Sequence, residues 1–313
     1  MSSLVTRRAT RNRGTSAHRR HQTRWAYLFL APALLLFALT VFYPMLRALQ
    51  YSLFEWPLGG VKTFVGLGNY RRLLLDDGSF RQSLEVTLYF TVLSVLPTIV
   101  LALFAAALLN GSRLRLRGLF RTIYFVPVVT SLVAVGYVWR ALLEPSFGLV
   151  NTVIGWFGVT GPGWLADPSW ALDGIVLMTV WRDLGFYMVI FLAGLQAIPR
   201  EVTDAARIDG AGAWGRFRHV TLPLLNPSIV LAAVIGVING LQLFTQVYVM
   251  TGSAQQLPGG PLGSTRSVVL YVVEQTFRPL EMGYGSAAAF VLFILIMIVT
   301  LIQFRLIQRK FEY

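Results

Sequence analysis

The chain has no cysteine, which excludes disulfides, thiolate nucleophiles, cysteine-ligated zinc and iron–sulfur clusters. It is also poor in charge. Only 13% of its 313 residues are Asp, Glu, Lys or Arg, against about 25% in soluble domains. Lysine is nearly missing: Lys62 follows Val61 and Lys310 follows Arg309. No Gly-Lys-Ser/Thr can therefore close a phosphate-binding loop. The three histidines, His18, His21 and His219, have no metal-ligand spacing, and no clustered nucleophile marks a membrane enzyme. The sequence carries no fixed-period repeat.

What the chain has in excess is apolar sequence, 55% of it, in long uninterrupted blocks. About 20 apolar residues at 1.5 Å rise cross a bilayer. Six segments qualify, at about 25–49, 83–109, 122–140, 171–197, 224–250 and 282–304. They are too long for barrel strands and do not alternate as such strands do. Helices, which satisfy their own backbone in lipid, are the expectation. The fold class is thus all-α, a polytopic membrane protein with six transmembrane helices. The first segment has the basic flank of a signal peptide but is too long and lacks a small-x-small cleavage pattern, so it reads as a retained helix.

The net charge of +13 and pI near 10.6 could suggest nucleic acid. The arginines instead flank the apolar blocks. They concentrate before the first span, between spans two and three, between four and five (Arg200, Arg207, Arg216, Arg218) and after the sixth. By the positive-inside rule these four segments share the cytoplasmic side, with both termini. Residues 1–24 read as a disordered Arg-rich cytoplasmic tail, a topology signal that can also touch anionic lipid. No nucleic acid is expected as a partner. Thr251 to Gly263, rich in Gly and Pro, reads as an outer loop.

The segment 198–223, between spans four and five, is unusual. Pro199 can open a helix and Glu201 is an acid in its first turn. Glu201 to Asp209 then reads as a short helix, with Val202, Ala205, Ala206 and Asp209 at helical spacing. Gly210 and Gly212 are stops. Ala205 and Ala206 would let a partner approach the backbone, and a second short helix follows with Trp214 and Phe217 on one side. Pro223 restricts the turn back into the membrane.

This segment resembles the coupling loop of binding-protein-dependent ABC importer permeases. That pattern is Glu-Ala-Ala, three residues, Gly, nine residues, Ile-x-Leu-Pro. Here it reads Asp204-Ala205-Ala206, Gly210, then Val220-x-Leu222-Pro223, with Asp for Glu and Val for Ile. Val65-Gly66-Leu67-Gly68-Asn69-Tyr70 is similar to the outer segment of the carbohydrate (maltose-type) branch. So are Thr251-Gly252, Gly259-Gly260-Pro261, Ser264-Thr265 and Tyr284-Gly285-Ser286-Ala287. Neighbouring branches carry glycerol-phosphate diesters.

The resemblance, over residues 25–313, implies the type I importer permease fold in a bacterial plasma membrane. It implies a second homologous permease subunit, two ABC ATPase subunits that bind ATP and Mg, and an extracytoplasmic substrate-binding protein, often a lipoprotein. This chain would bind no cofactor itself and would not be an enzyme. Its coupling contacts would be Glu201, Asp204, Ala205, Ala206, Asp209, Gly210, Leu222 and Pro223.

Substrate contacts are sought among polar groups inside the spans. Arg182 and Asp183 interrupt span four, and an intramembrane charge is costly unless it works. Neighbours on a helix point about 100° apart, so the two are not expected to face each other. Either one lines a polar path, or Arg182 pairs with another helix or snorkels. Asn239, Gln242 and Gln246 have spacings of three and four, one helical face. They either line a path, where amides suit sugar hydroxyls, or join helices by hydrogen bonds. Trp181 and Tyr187 complete the set. The competing function is a gradient-driven secondary transporter, which needs several buried ionisable groups; only Arg182 and Asp183 qualify.

Overall fold

The apolar segments are helical, since a backbone without water must pair its own N–H and C=O groups. A computed structural model describes residues 14–57, 60–111, 116–252 and 257–307. Among these residues, four helices are long and apolar enough to cross a membrane, and two bent pairs bring the number to six.

The chain divides into two compact units, one ending at Gln50 and the other beginning at Tyr51. In the first, α1 (Gly14–Phe37) continues through a π-helical turn at Ala38–Phe42 into α2 (Tyr43–Ser52), whose last two residues belong to the second. The helix starts inside the tail for which disorder is expected. Adding residues to an existing helix is far easier than nucleating one, which accounts for a helix that begins at Gly14. Residues 1–13 lie outside the described residues. Tyr27, Phe29 and Leu35 are more than half exposed, as suits apolar side chains of a membrane-spanning helix.

The second unit contains α3 (Gly78–Asn110), α4 (Arg117–Val129), α5 (Leu132–Leu142), α6 (Ala171–Ala197), α7 (Arg200–Ile208) and α8 (Ala213–Arg216). It closes with α9 (Asn226–Leu241), α10 (Thr245–Thr251), α11 (Val268–Phe277) and α12 (Met282–Ile307). Small residues bring its helices together, as association inside lipid requires. Ala102 and Ala106 of α3 are fully buried against Met188 and Phe191 of α6. A Cβ added at Gly240 would come within 2.9 Å of Thr91, and one at Gly236 within 2.9 Å of Val95.

The Val65–Tyr70 motif is structural. Asn69 is buried and donates to the Ser52 and Phe54 carbonyls, at 2.8 and 3.0 Å. It thereby holds a short antiparallel pair, Phe54–Glu55 with Thr63–Phe64, against the start of the following helix. Asp77 then caps α3 by accepting from the Phe80 N–H at 2.9 Å. It also accepts from Tyr271 of α11 and Tyr284 of α12, so one carboxylate fastens three helices.

Two spans differ from the continuous helices expected. The 122–140 segment bends by 98° between α4 and α5. Pro127 removes a backbone donor, Thr130 is extended, and its hydroxyl takes the Val126 carbonyl at 2.8 Å. The 224–250 segment enters through a 65° bend and its helix ends at Leu241. Gln242 to Phe244 are non-helical, and α10 resumes at Thr245. The break is supported from elsewhere in the chain. Ser267 donates its hydroxyl to the Leu243 carbonyl at 2.5 Å and accepts from the Leu270 N–H.

Candidate substrate cavity and coupling loop

The two broken spans face the same space. A cavity of about 390 Å³ is lined by Val128 and Leu132, on either side of the α4–α5 bend. From α6 come Arg182, Asp183, Phe186 and Tyr187. Ile235, Asn239, Gln242, Thr245 and Gln246 complete it, straddling the break after α9. Irregular backbone inside a membrane is tolerated where it lines such a cavity. Backbone that leaves the helix here can aim Gln242 and Thr245 inward.

Of the residues singled out from sequence, Asp183, Tyr187, Asn239, Gln242 and Gln246 meet at this cavity. Trp181 does not line it. It is about half exposed and packs on Trp139, ring centres 5.6 Å apart, because it sits about 100° around the helix from Arg182. Helical spacing is also not what unites the amides, since the helix carrying Asn239 ends before Gln242.

Arg182 and Asp183 contradict the expectation that neighbours do not face each other. Arg182 Nη1 lies 2.7 Å from Asp183 Oδ1, and each side chain is 22% exposed. The 100° rule governs where the Cβ atoms point; a long guanidinium arm folds back across that angle. Among the described residues this is the one ion pair within the apolar spans.

A hydroxyl-bearing face of α3 went unnoticed in the sequence. Ser83, Thr87, Thr91, Ser94 and Thr98 are all buried, at spacings of four, four, three and four. Ser94 and Thr98 line a narrow space that shares Asp183, Tyr187, Asn239 and Gln246 with the main cavity. Thr87 accepts from the Val268 N–H at 2.9 Å, holding the start of α11. The periodic hydroxyls in a long apolar helix were the available signal.

The 198–223 segment folds much as its residues suggest. Pro199 precedes α7, which spans Arg200–Ile208. The helix ends in a full Schellman arrangement. Ala211 N–H reaches the Ala206 carbonyl at 3.0 Å, and Gly210 N–H reaches that of Arg207 at 3.1 Å. This closure places Gly210 at φ +79°, a region open to glycine at little cost. Asp204 pairs with Arg207 at 3.3 Å on the surface, and Glu201, Ala205 and Asp209 are exposed as well. Ala206 is partly covered. Trp214 stacks on Phe217 at 5.7 Å, and Arg216 donates to the Ala211 carbonyl at 2.7 Å. Leu222 and Pro223 form a short helical turn leading to the bend before α9. Ile208 and Trp214 stand 86% and 70% exposed, a pair of large apolar side chains beside the surface acids.

Residues 86–313 match the family described as the binding-protein-dependent transport system inner membrane component. The chain belongs to this family. It is 38% identical to the lactose transport system permease protein LacF of Rhizobium radiobacter, over 89% of this chain and 92% of that one. It is 37% identical to the sulfoquinovosyl glycerol transport system permease protein SmoG of Agrobacterium fabrum, over 92% and 94%. The fold is that of a chain in a bacterial alginate ABC transporter, crystallised with an alginate-bound periplasmic protein. The TM-score is 0.77 over 91% of this chain and 94% of that one, at 20% identity. Family membership makes the chain a multi-pass inner-membrane permease component of an importer rather than an enzyme.

Proposed function

We propose that the chain forms one side of an ATP-driven import path for a carbohydrate, with the cavity between the broken spans as its solute contact. The carrying observation is the composition of that cavity. Three amide side chains, a tyrosine hydroxyl, a phenylalanine ring and one ion pair surround 390 Å³ of space. Amides and paired charges bond hydroxyl groups, and rings cover the apolar faces of a sugar. Relatives named for lactose and sulfoquinovosyl glycerol transport, one cargo neutral and one anionic, support a carbohydrate and leave its charge to be set by the cavity.

In this reading both termini and the 198–223 loop are cytoplasmic. An extracytoplasmic binding protein delivers the solute, and a second permease closes the path. Two partner ATPases hold ATP and Mg. One of them receives α7, with Glu201, Asp204, Ala205, Ala206, Asp209 and Gly210 at the contact and Leu222 and Pro223 bracing the return into the membrane. Exposed Ile208 and Trp214 suit burial in such a contact. A gradient-driven transporter is less well supported, because a single, mutually neutralised ion pair offers no separate ion site.

Alanine at Asn239 and Gln242 tests the cavity. In membrane vesicles carrying the assembled importer, uptake of labelled carbohydrate should fall at least tenfold while the variant still co-purifies with its partners. Normal uptake of every carbohydrate that the parent carries would remove the cavity from the path.

A further inference from the structure

We propose that the Arg182–Asp183 pair sets the charge selectivity of the cavity: it admits neutral polyhydroxyl solutes and excludes anionic ones, and losing the carboxylate alone would reverse that preference. The inference rests on the cavity being the solute contact.

Three observations carry it. First, Arg182 and Asp183 are the charged side chains among those lining the cavity; the rest are apolar, amide or hydroxyl groups. The charge that this chain contributes to the path is therefore fixed by these two. Second, they are bonded to each other at 2.7 Å, so opposite charges cancel at the cavity wall. Third, both side chains are largely withdrawn from solvent, where water screens little and a single uncompensated charge dominates the local field.

The consequence follows from desolvation. An anionic sugar, a uronate or a sulfonate, must shed water to enter. Arg182 is the natural counterion and keeps its Nε without a partner, but Asp183, bonded to its Nη1 at 2.7 Å, cancels its charge and sets a negative charge beside any entering anion. A neutral sugar loses less on entry and gains charge-assisted hydrogen bonds from both groups. In Asp183→Asn the amide keeps the shape of the carboxylate but frees the guanidinium, and the cavity carries +1. In Arg182→Gln it carries −1. In the double variant it returns to zero without the charge-assisted bonds.

The test is a charge series. The full chain, co-purified with its partner subunits and placed in lipid nanodiscs, is titrated with two labelled probes of equal size, cellobiose and its glucuronosyl analogue. The readout is the ratio of acid to neutral affinity. Relative to the parent, Asp183→Asn should raise the ratio at least tenfold and Arg182→Gln should lower it. The double variant should return to the parental ratio with both affinities reduced. A ratio that stays constant across the four proteins overturns the proposal, as does a ratio that rises in both single variants. Should Asp183→Asn fail to assemble, Arg182→Gln and the double variant still decide, since a merely structural pair predicts no difference in ratio between them. Alanine at Asn239 with Gln242 separates the two levels of the argument. It should weaken both probes alike and leave the ratio unchanged. If that variant binds both probes as the parent does, or if neither probe binds the parent, the cavity itself is rejected and the inference with it.

Discussion

The 198–223 loop and the cavity, two polar regions in a largely apolar molecule, are built in opposite ways. The 198–223 loop is contiguous: the hydrogen bonds that close its helix and turn lie between Ala206 and Arg216 and span five residues or fewer. The cavity is assembled from α4, α5, α6, α9 and α10, and the break that opens it is supported by Ser267, 24 residues away. In the loop the polar groups face outward and cost little to expose. In the cavity they sit within an apolar bundle, where each must find a partner or be costly. A local device is therefore expected to tolerate changes without loss of fold and to fail in function. The distributed device should register changes in both.

The largest effect is expected at Gly210. No atom lies within 4 Å of where its Cβ would be, so the constraint is the backbone at φ +79°. Valine there costs about 1–2 kcal/mol and favours a different helix ending. Solute-stimulated ATP hydrolysis by the assembled importer should drop at least tenfold in Gly210→Val, with the thermal midpoint of the permease nearly unchanged. Asparagine, which accepts left-handed backbone, should keep most of the coupling. Equal losses in both variants would mean that side-chain volume, not helix termination, matters at this position. A large fall in thermal midpoint would break the comparison itself.

The sequence revealed these two regions unequally, for the same reason. Asp204-Ala205-Ala206 and Gly210 could be read directly, because a helix stop is a local property of the chain. The six apolar blocks were equally plain, since bilayer thickness dictates their length. The breaks at Thr130 and Gln242 were not. A continuous apolar run reads as a continuous helix, and nothing near Leu243 discloses that Ser267 will satisfy its carbonyl. Asn239, Gln242 and Gln246 line one cavity although the break at Gln242 makes their helical spacing inapplicable. Trp181 was included on residue type and lies elsewhere. The hydroxyl stripe on α3 had a visible period but resembles ordinary packing until Thr87 is seen holding α11.

Ser267→Ala probes the distributed device. The substitution removes the donor to Leu243 and the acceptor for Leu270 together. Two buried backbone groups lose partners, at a cost of about 1–3 kcal/mol. The thermal midpoint of the chain in nanodiscs should fall, and carbohydrate uptake should fall with it, because the break positions Gln242 and Thr245. Lowered stability with unchanged uptake would show that the cavity keeps its shape without this support, and the contrast with Gly210 would weaken.

The smallest effect is expected at Asp77, which joins α3, α11 and α12 outside the cavity. Partial burial opposes its ionisation, but hydrogen bonds from Tyr271, Tyr284 and the Phe80 and Ser79 backbone outweigh that and hold the carboxyl below its usual 3.8. The folded value is thus depressed relative to the unfolded one. Its contribution is fully present above about pH 4 and disappears as pH falls through the lower folded value. Unfolding midpoints measured from pH 6 down to pH 3 should therefore decline by a component that Asp77→Asn lacks. The variant should start lower at pH 6, by about 1–2 kcal/mol, because an uncharged amide has one acceptor oxygen where the carboxylate uses two, and the gap to the parent should narrow toward the acid end. Because Asp77 lines neither the cavity nor the 198–223 loop, solute-stimulated ATP hydrolysis at pH 7 should stay within about twofold of the parent, which the same nanodisc assay checks. A larger loss would place the three-helix junction in the transport cycle, and neither the local nor the distributed device would then act alone.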